Sequence, residues 1–330
     1  MFHYDNGLFL TRAALGVDVR RRQPRSFVSH AHADHIARHE LALATPTTAR
    51  LYQHRLGRHH RVLEVPFREP LEFGSVRLTA LPAGHCFGSA MLLAEEGDSS
   101  LLYTGDFKLG DSATAEPAEL SRADILVMES TFGLPRYRLP PRSEVIEELL
   151  HIVRGAIAQE LTPVIHAYPL GKSQEVTRIL TDAGIRVLQH PAIYEVSRIY
   201  EACGMSLGNY DVYPHQSAIR NPKSTIGSSP AAIVTLPRGM NSFRLAGLGR
   251  TVTIAPTGWA IDPRTKFRWG VDYALPLSDH ADYDQLLETI ERVAPREIYC
   301  THGPEEFADI LRDMGYNAQT LAPRKQRTLF

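Results

Sequence analysis

Apolar and polar positions follow two different rhythms along the chain. Up to about position 131 the apolar runs are short and separated by turn residues. Residues 7–19 (GLFLTRAALGVDV), 26–29, 41–45 and 62–66 read as strands, with a helical stretch at 47–53. Residues 71–96 alternate apolar stretches with turns, which predicts β-hairpins. Ser100–Phe107 reads as a strand stopping at Gly105-Asp106, and Ala123–Thr131 as a strand closing on Glu129.

Beyond this point the apolar spacing becomes helical. Ile146, Leu149, Leu150, Val153 and Ile157 share one face of a helix over Ser143–Glu160, with Ser143 as its expected N-cap. A strand at Thr162–Tyr168, a turn at Pro169–Gly171 and a helix through Leu180 follow. Next come a strand at Ile185–Gln189, a helix at Ala192–Cys203, and strands AAIVTL and TVTIAPTGW. Such alternation predicts a parallel-type α/β layer. Residues 221–230 read as loop. A helix is expected to start at Ser278 or Asp279, and the last strand, Glu297–Thr301, ends at His302-Gly303. The terminal RKQRTLF is expected to be mobile.

Composition narrows the class. With 330 residues, 43% hydrophobic and 22% charged, the chain is an ordinary globular protein with room for one large domain or two. A net charge of −1 excludes a polycation, yet residues 1–70 carry 11 Arg and no Lys against 6 acidic residues. The densest stretches, 20–25 and 50–61, form a candidate face for phosphates. Three scattered cysteines, Cys86, Cys203 and Cys300, suggest no disulfide framework and fit a reducing, cytoplasmic setting. The opening MFHYDNGLFL lacks the pattern of a signal peptide, and no apolar run approaches a membrane span.

The chemistry gathers at SFVSHAHADHI, residues 26–36. An apolar lead delivers His30, His32, Asp34 and His35. In an extended segment side chains two apart face the same way, so His30 and His32 can share one ion. A turn after them lets Asp34 and His35 reach a second ion. The imidazole and carboxylate mixture suits zinc or manganese. His85, flanked by glycines in PAGHCFGSA, completes the first set; His302 in CTHG completes the second. Asp106, in TGDF, can bridge both ions. A pair of ions ~3.5–4 Å apart suits attack on a phosphodiester. His280 in SDHAD is then the candidate general acid, oriented by Glu129. Asp34 is counted both as ligand and as catalytic residue.

These motifs, HxHxDH followed by a lone His, a strand-ending Asp and a late His, resemble the metallo-β-lactamase fold. Glu129 in MESTFG, His280 in SDHAD and His302 in THG match motifs A, B and C of the β-CASP nucleases. The resemblance implies an αββα sandwich over 1–135 and 276–330 with an inserted α/β β-CASP domain over 136–275. It also implies an orienting role for Asp18. Compact length and the pair SDHADYDQL with YCTHGPE resemble the bacterial ligase-associated DNA exonucleases. That implies a two-metal DNA exonuclease with a DNA ligase or helicase as functional partner. His at motif C is typical of the RNA-cleaving branch and is shared by the ligase-associated group, so an RNA nuclease is the alternative. In the insert, Lys172 and Ser173 sit at a helix start, where a phosphate can bind. Tyr168, Trp259 and Trp269 are candidates for stacking on bases, with Arg264, Lys266 and Arg268 beside them.

Overall fold

The computed structural model describes residues 1–213, 230–237 and 248–321. Residues 221–229 of the loop expected over 221–230, and the end expected over 324–330, lie outside these residues. The chain forms two compact units, Met1–Arg138 with His280–Phe330, and Leu139–Asp279.

Unit 1 opens with strands Phe2–Tyr4 (β1), Leu8–Leu10 (β2), Leu15–Val17 (β3), Arg25–Phe27 (β4), Leu41–Ala44 (β5) and Val62–Glu64 (β6). They pair in chain order into one sheet. Helix Pro46–Leu56 (α1) lies between β5 and β6; Thr45 caps it, its hydroxyl accepting from Thr48 N. Strands Leu71–Phe73 (β7), Val76–Pro82 (β8), Ala90–Glu96 (β9), Ser99–Tyr103 (β10) and Ile125–Glu129 (β11) start a second sheet.

Unit 2 has helices Arg142–Ala158 (α2), Lys172–Asp182 (α3), Pro191–Ala202 (α4) and Thr265–Trp269 (α5), and a 3-10 turn at Gly258–Ile261. Its strands are Thr162–His166 (β12), Arg186–Gln189 (β13), Tyr210–Val212 (β14), Ala231–Thr235 (β15), Thr251–Pro256 (β16) and Tyr273–Leu275 (β17). The sheet order is β14-β13-β15-β12-β16-β17, and every pairing is parallel. All five residues of β15, AAIVT, are buried, as a strand covered on both faces requires. Ser143 does not cap α2: the helix begins one residue earlier, behind Pro141, with no side-chain cap. The fixed φ of Pro141 already suits the helix entry.

Helix Tyr283–Val293 (α6), strand Glu297–Thr301 (β18), helix Glu306–Asp313 (α7) and strand Ala318–Thr320 (β19) complete the second sheet of unit 1, in the order β19-β18-β11-β10-β9-β8-β7.

Period-two alternation explains why unit 1 is a sandwich. Leu101, Tyr103 and Val127 point to one side of the second sheet and join Leu10, Val17, Phe27 and Leu43 from the first in one core. Their neighbours Leu102, Leu126 and Met128 point to the other side, against Leu286, Ile290 and Val293 of α6 and Phe307 of α7. Val28, Ala42 and Ala44 pack on Ala49 and Tyr52 of α1. The layers are therefore αββα. Among the described residues no helix is long and apolar enough to cross a membrane, and the three cysteines are free.

Candidate metal centre

The ligand-rich segment follows β4. The chain leaves the sheet at Val28, runs through His30 and His32, and turns, with His35 N donating to His32 O at 3.1 Å. His30 and His35 are buried. From the second sheet, β8 leads to His85, β10 to Asp106, β11 to Glu129 and β18 to His302. β8 and β10 each run antiparallel to β9, and β10, β11 and β18 are mutually parallel, so all four residues leave one edge of the sheet. Two backbone positions are shaped for this. Gly105 has φ +56, and a side-chain carbon there would lie 2.8 Å from Ser29 Cβ. A side-chain carbon on Gly303 would lie 2.0 Å from the Ser130 carbonyl oxygen.

Two histidine-rich groups of donors share Asp106, and a third group, Asp106 with Glu129 and His280, adjoins them. Of the two, His30, His32, His85 and Asp106 form one; His35, Asp106 and His302 form the other. His32 Nδ1 lies 3.0 Å from His30 Nε2 and 3.1 Å from His85 Nε2. Asp106 Oδ2 lies 3.5 Å from His30 Nε2, 3.9 Å from His85 Nε2 and 3.4 Å from His35 Nε2. Asp106 Oδ1 is 3.9 Å from His302 Nδ1. Donors bonded to one zinc at ~2.0–2.2 Å in a tetrahedral arrangement stand roughly 3.3–3.6 Å apart, close to these separations. His35 Nε2 is buried with no hydrogen-bond partner, although it faces the Asp106 carboxylate. Such an atom costs free energy unless something binds it. The donor set therefore fits divalent metal.

A second feature lies beside the first group. His280 Nδ1 is 2.8 Å from Glu129 Oε1, which also accepts from Phe107 N at 2.9 Å. The other oxygen accepts from Thr131 Oγ1 at 2.5 Å. The fully buried Glu129 is thus saturated and fixed, and it holds one ring nitrogen of His280. The His280 and His85 rings are 4.7 Å apart.

Residues 269–321 match the family described as Zn-dependent metallo-hydrolase RNA specificity domain. A protein of Opitutus terrae named "Probable DNA ligase" is 36% identical over 99% of this chain and 31% of its own length. The 5′ exonuclease Apollo of Gallus gallus is 28% identical over 88% of this chain and 62% of its own. The transcription termination factor FttA of Methanocaldococcus jannaschii is 26% identical over 77% of this chain and 51% of its own. Motif order, sandwich and relatives together support a metallo-β-lactamase β-CASP nuclease. The chain spans 31%, 62% and 51% of the length of these three curated relatives. Among solved structures, a protein of unknown function from Enterococcus faecalis V583 shares the fold. Its TM-score is 0.61 at 14% identity, covering 91% of this chain and 80% of that one.

Asp18, in left-handed conformation at φ +48, stands behind the metal-ligand candidates. It accepts from Ser29 N at 2.7 Å and from Tyr103 Oη at 2.8 Å, and its Oδ2 lies 2.8 Å from His35 Nδ1. A carboxylate there fixes the ring so that Nε2 turns to Asp106. Asp18→Ala is therefore expected to weaken metal affinity about 10–100-fold, measured by zinc competition against a chelator. Equal affinity in the variant would reject the orienting role.

The metal-free donors are electrostatically unequal. Burial, then the neighbouring His35 and His32, holds His30 well below the usual histidine range. Burial acts the same way on His35, but the Asp106 and Asp18 carboxylates outweigh it and raise His35 well above that range. Burial opposes ionisation of Asp106, yet His35 prevails and lowers it well below the usual carboxylate value. His30 is thus neutral and ready at pH 7, whereas His35 carries a proton that metal must displace. Zinc uptake is expected to release protons and to tighten as pH rises toward the raised value of His35. Calorimetry in buffers of different ionisation enthalpy measures this; uptake without proton release would contradict it.

Asp34 sits on the turn, more than half exposed and outside the two donor groups, with Oδ2 3.9 Å from His35 Nε2. Two expectations need correction. His280 lies on a loop before α6, not on a helix starting at Ser278 or Asp279. Asp282 takes the N-cap by accepting from Gln285 N at 2.9 Å. Lys172 and Ser173 do begin α3 but are not open to a phosphate. Lys172 is buried, with Nζ 3.1 Å from Glu175 Oε2 and 3.7 Å from Asp279 Oδ1. Ser173 is also buried, and its hydroxyl donates to Tyr168 O at 2.6 Å.

Sequence reasoning passed over Ser29, Tyr103 and Thr131, which hold Asp18 and Glu129. Only Thr131 carried a local signal, two residues after the carboxylate it bonds.

Proposed function

We propose that the chain is a two-metal phosphodiester hydrolase acting on nucleic acid, with DNA as substrate and exonucleolytic cleavage as its mode. The observation that carries this reading is Asp106 shared between two donor groups, with the Glu129–His280 pair beside it. His30, His32, His85 and Asp106 would hold one ion; His35, Asp106 and His302 the other, with Asp34 as a further donor. When bound, the ions would supply Lewis-acid activation of water and stabilise charge on the phosphate. Zinc is favoured by the donor types, with manganese as the second candidate. Glu129, held by Phe107 N and Thr131, fixes the imidazole through Nδ1. The ring so held would give a proton from Nε2 to the leaving alkoxide.

The basic stretch of unit 1 supports a polyanionic substrate. Between Glu40 and Glu64 there is no acidic residue, while Arg50, Arg55, Arg58 and Arg61 are all exposed. Arg55 donates to Ala31 O at 2.8 Å, inside the ligand segment itself. The likeness to a protein named as a DNA ligase and to a 5′ exonuclease supports DNA, and a ligase or helicase as functional partner. The second reading is RNA. It rests on His302 at motif C, the family's description as an RNA specificity domain, and the likeness to the endoribonuclease YSH1 of Candida albicans.

The deciding experiment digests DNA and RNA of one sequence, labelled separately at each end, with zinc or manganese. Shortening of DNA from one end supports the reading. Cleavage of RNA alone would replace it with the second.

A further inference from the structure

Four of the most exposed large apolar side chains among the described residues are aromatic and lie in unit 2. Phe267 is 78% exposed, Tyr168 46%, Tyr273 44% and Trp259 43%. Three of them come from one short stretch, from the 3-10 turn through α5 to β17. The stretch is tied together by Thr265, whose buried hydroxyl donates to Trp259 O at 2.6 Å. Tyr168 joins through Trp269, edge to face with ring centroids 6.1 Å apart. Along α5 the residue types interleave: Arg264, Lys266 and Arg268 alternate with Thr265, Phe267 and Trp269. All three cations are exposed. Two carboxylates stand near them. Asp262 is engaged by Arg264 at 2.9 Å and by Arg268 at 3.5 Å. Asp272 is occupied by Thr253 N and Thr253 Oγ1, at 2.8 and 2.7 Å.

A soluble protein rarely leaves a phenylalanine this open at a surface rich in other aromatics without use for it. The mixture also selects the occupant. An apolar protein partner would favour aromatics without three interleaved cations, and a duplex presents phosphates but hides its base faces. An unpaired strand offers both a flat π-surface and a phosphate every nucleotide. We propose that Tyr168, Trp259, Phe267 and Tyr273, with Arg264, Lys266 and Arg268, form a stacking platform for unpaired nucleotides. This deepens the reading above by naming the substrate form: a single strand or a frayed end. Each ring takes the face of one base, sequence is not read, and the cations follow the backbone.

The platform reports on itself, because the chain has two tryptophans and both, Trp259 and Trp269, belong to this surface. The probe is a fluorescent 20-mer of thymidylate, compared with a blunt duplex, both in EDTA so that no cleavage occurs. The full chain is compared with Phe267→Ala and with Phe267→Ala/Tyr273→Ala. Single-strand binding should quench tryptophan emission saturably in the unaltered protein. The first variant should weaken that binding about tenfold and the second roughly a hundredfold, while duplex affinity stays within about twofold. Both side chains are exposed, so melting temperatures should not move. The proposal falls if the double variant keeps its single-strand affinity. It also falls if duplex binding drops equally, or if the variants change only self-association on a sizing column. Hydrolysis of bis-p-nitrophenyl phosphate, a diester without bases, separates the two claims. Failure of the unaltered metal-loaded protein both there and on end-labelled DNA and RNA defeats the nuclease reading, whereas retained strand affinity in the variants defeats only the platform.

Discussion

Replacing Asp106 with Ala is expected to lower turnover by more than about 10³-fold, and bound metal should fall with it. The size follows from what the carboxylate touches. Its two oxygens face His30, His35, His85 and His302 at 3.4 to 3.9 Å, so it belongs to both donor groups. Losing Lewis-acid stabilisation worth several kcal/mol, at about 1.4 kcal/mol per decade, removes roughly three decades of rate. Asp106→Asn keeps the volume and one oxygen but loses the charge, and should be intermediate in metal content. Elemental analysis of dialysed protein and end-label assays measure the two effects independently. Full activity in Asp106→Ala would overturn the shared-carboxylate arrangement.

His280→Ala should behave differently. Turnover is expected to drop about 10²–10⁴-fold, the range for loss of a positioned general acid, while metal content stays at the unaltered level. The distinction follows from the proposed roles: His280 binds Glu129 at 2.8 Å and is outside the two groups that combine Asp106 with His30, His32 and His85 or with His35 and His302, although it also comes together with Asp106 and Glu129. A substrate with a better leaving group, such as a nitrophenyl diester, needs less protonation and should recover most of the loss. Glu129→Gln should follow in the same direction, since the amide cannot pair with an imidazolium. A variant with equal loss on both substrates would rule out proton donation by His280.

Most of the donor set was legible because it is local or lies at strand ends. His30, His32 and His35 are bunched by a turn that the sequence displays, and apolar runs point at Asp106, Glu129 and His302. The αββα layering follows from alternation in β5, β10 and β11, where each inward residue has an outward neighbour. Two kinds of information were out of reach. One is exposure: a helix start such as Gly171-Lys172-Ser173 looks the same whether it faces solvent or is buried against Glu175. The other is long-range bonding. Tyr103 meets Asp18 across 85 positions, with nothing near either to announce the partner. Competition between caps misplaced the start of α6, where Asp282 outbids Ser278 because its carboxylate reaches Gln285 N.

The spread of the donors along the chain has a consequence for biosynthesis. His30, His32, His85 and Asp106 all precede unit 2, whereas His280 and His302 follow it. From Asp106 to His302 the ribosome must add 196 residues (302 − 106), roughly 10–40 s of translation at ~5–20 residues per second. The first donor group is therefore complete in the nascent chain well before the second can exist. Strand β18, which leads to His302, must also add to β11 before β19 can pair with it. The donors are thus synthesised in two stages, and His280, which pairs with the earlier Glu129, arrives with the second. A nascent chain in the first stage therefore holds one donor group while still lacking both His280 and His302.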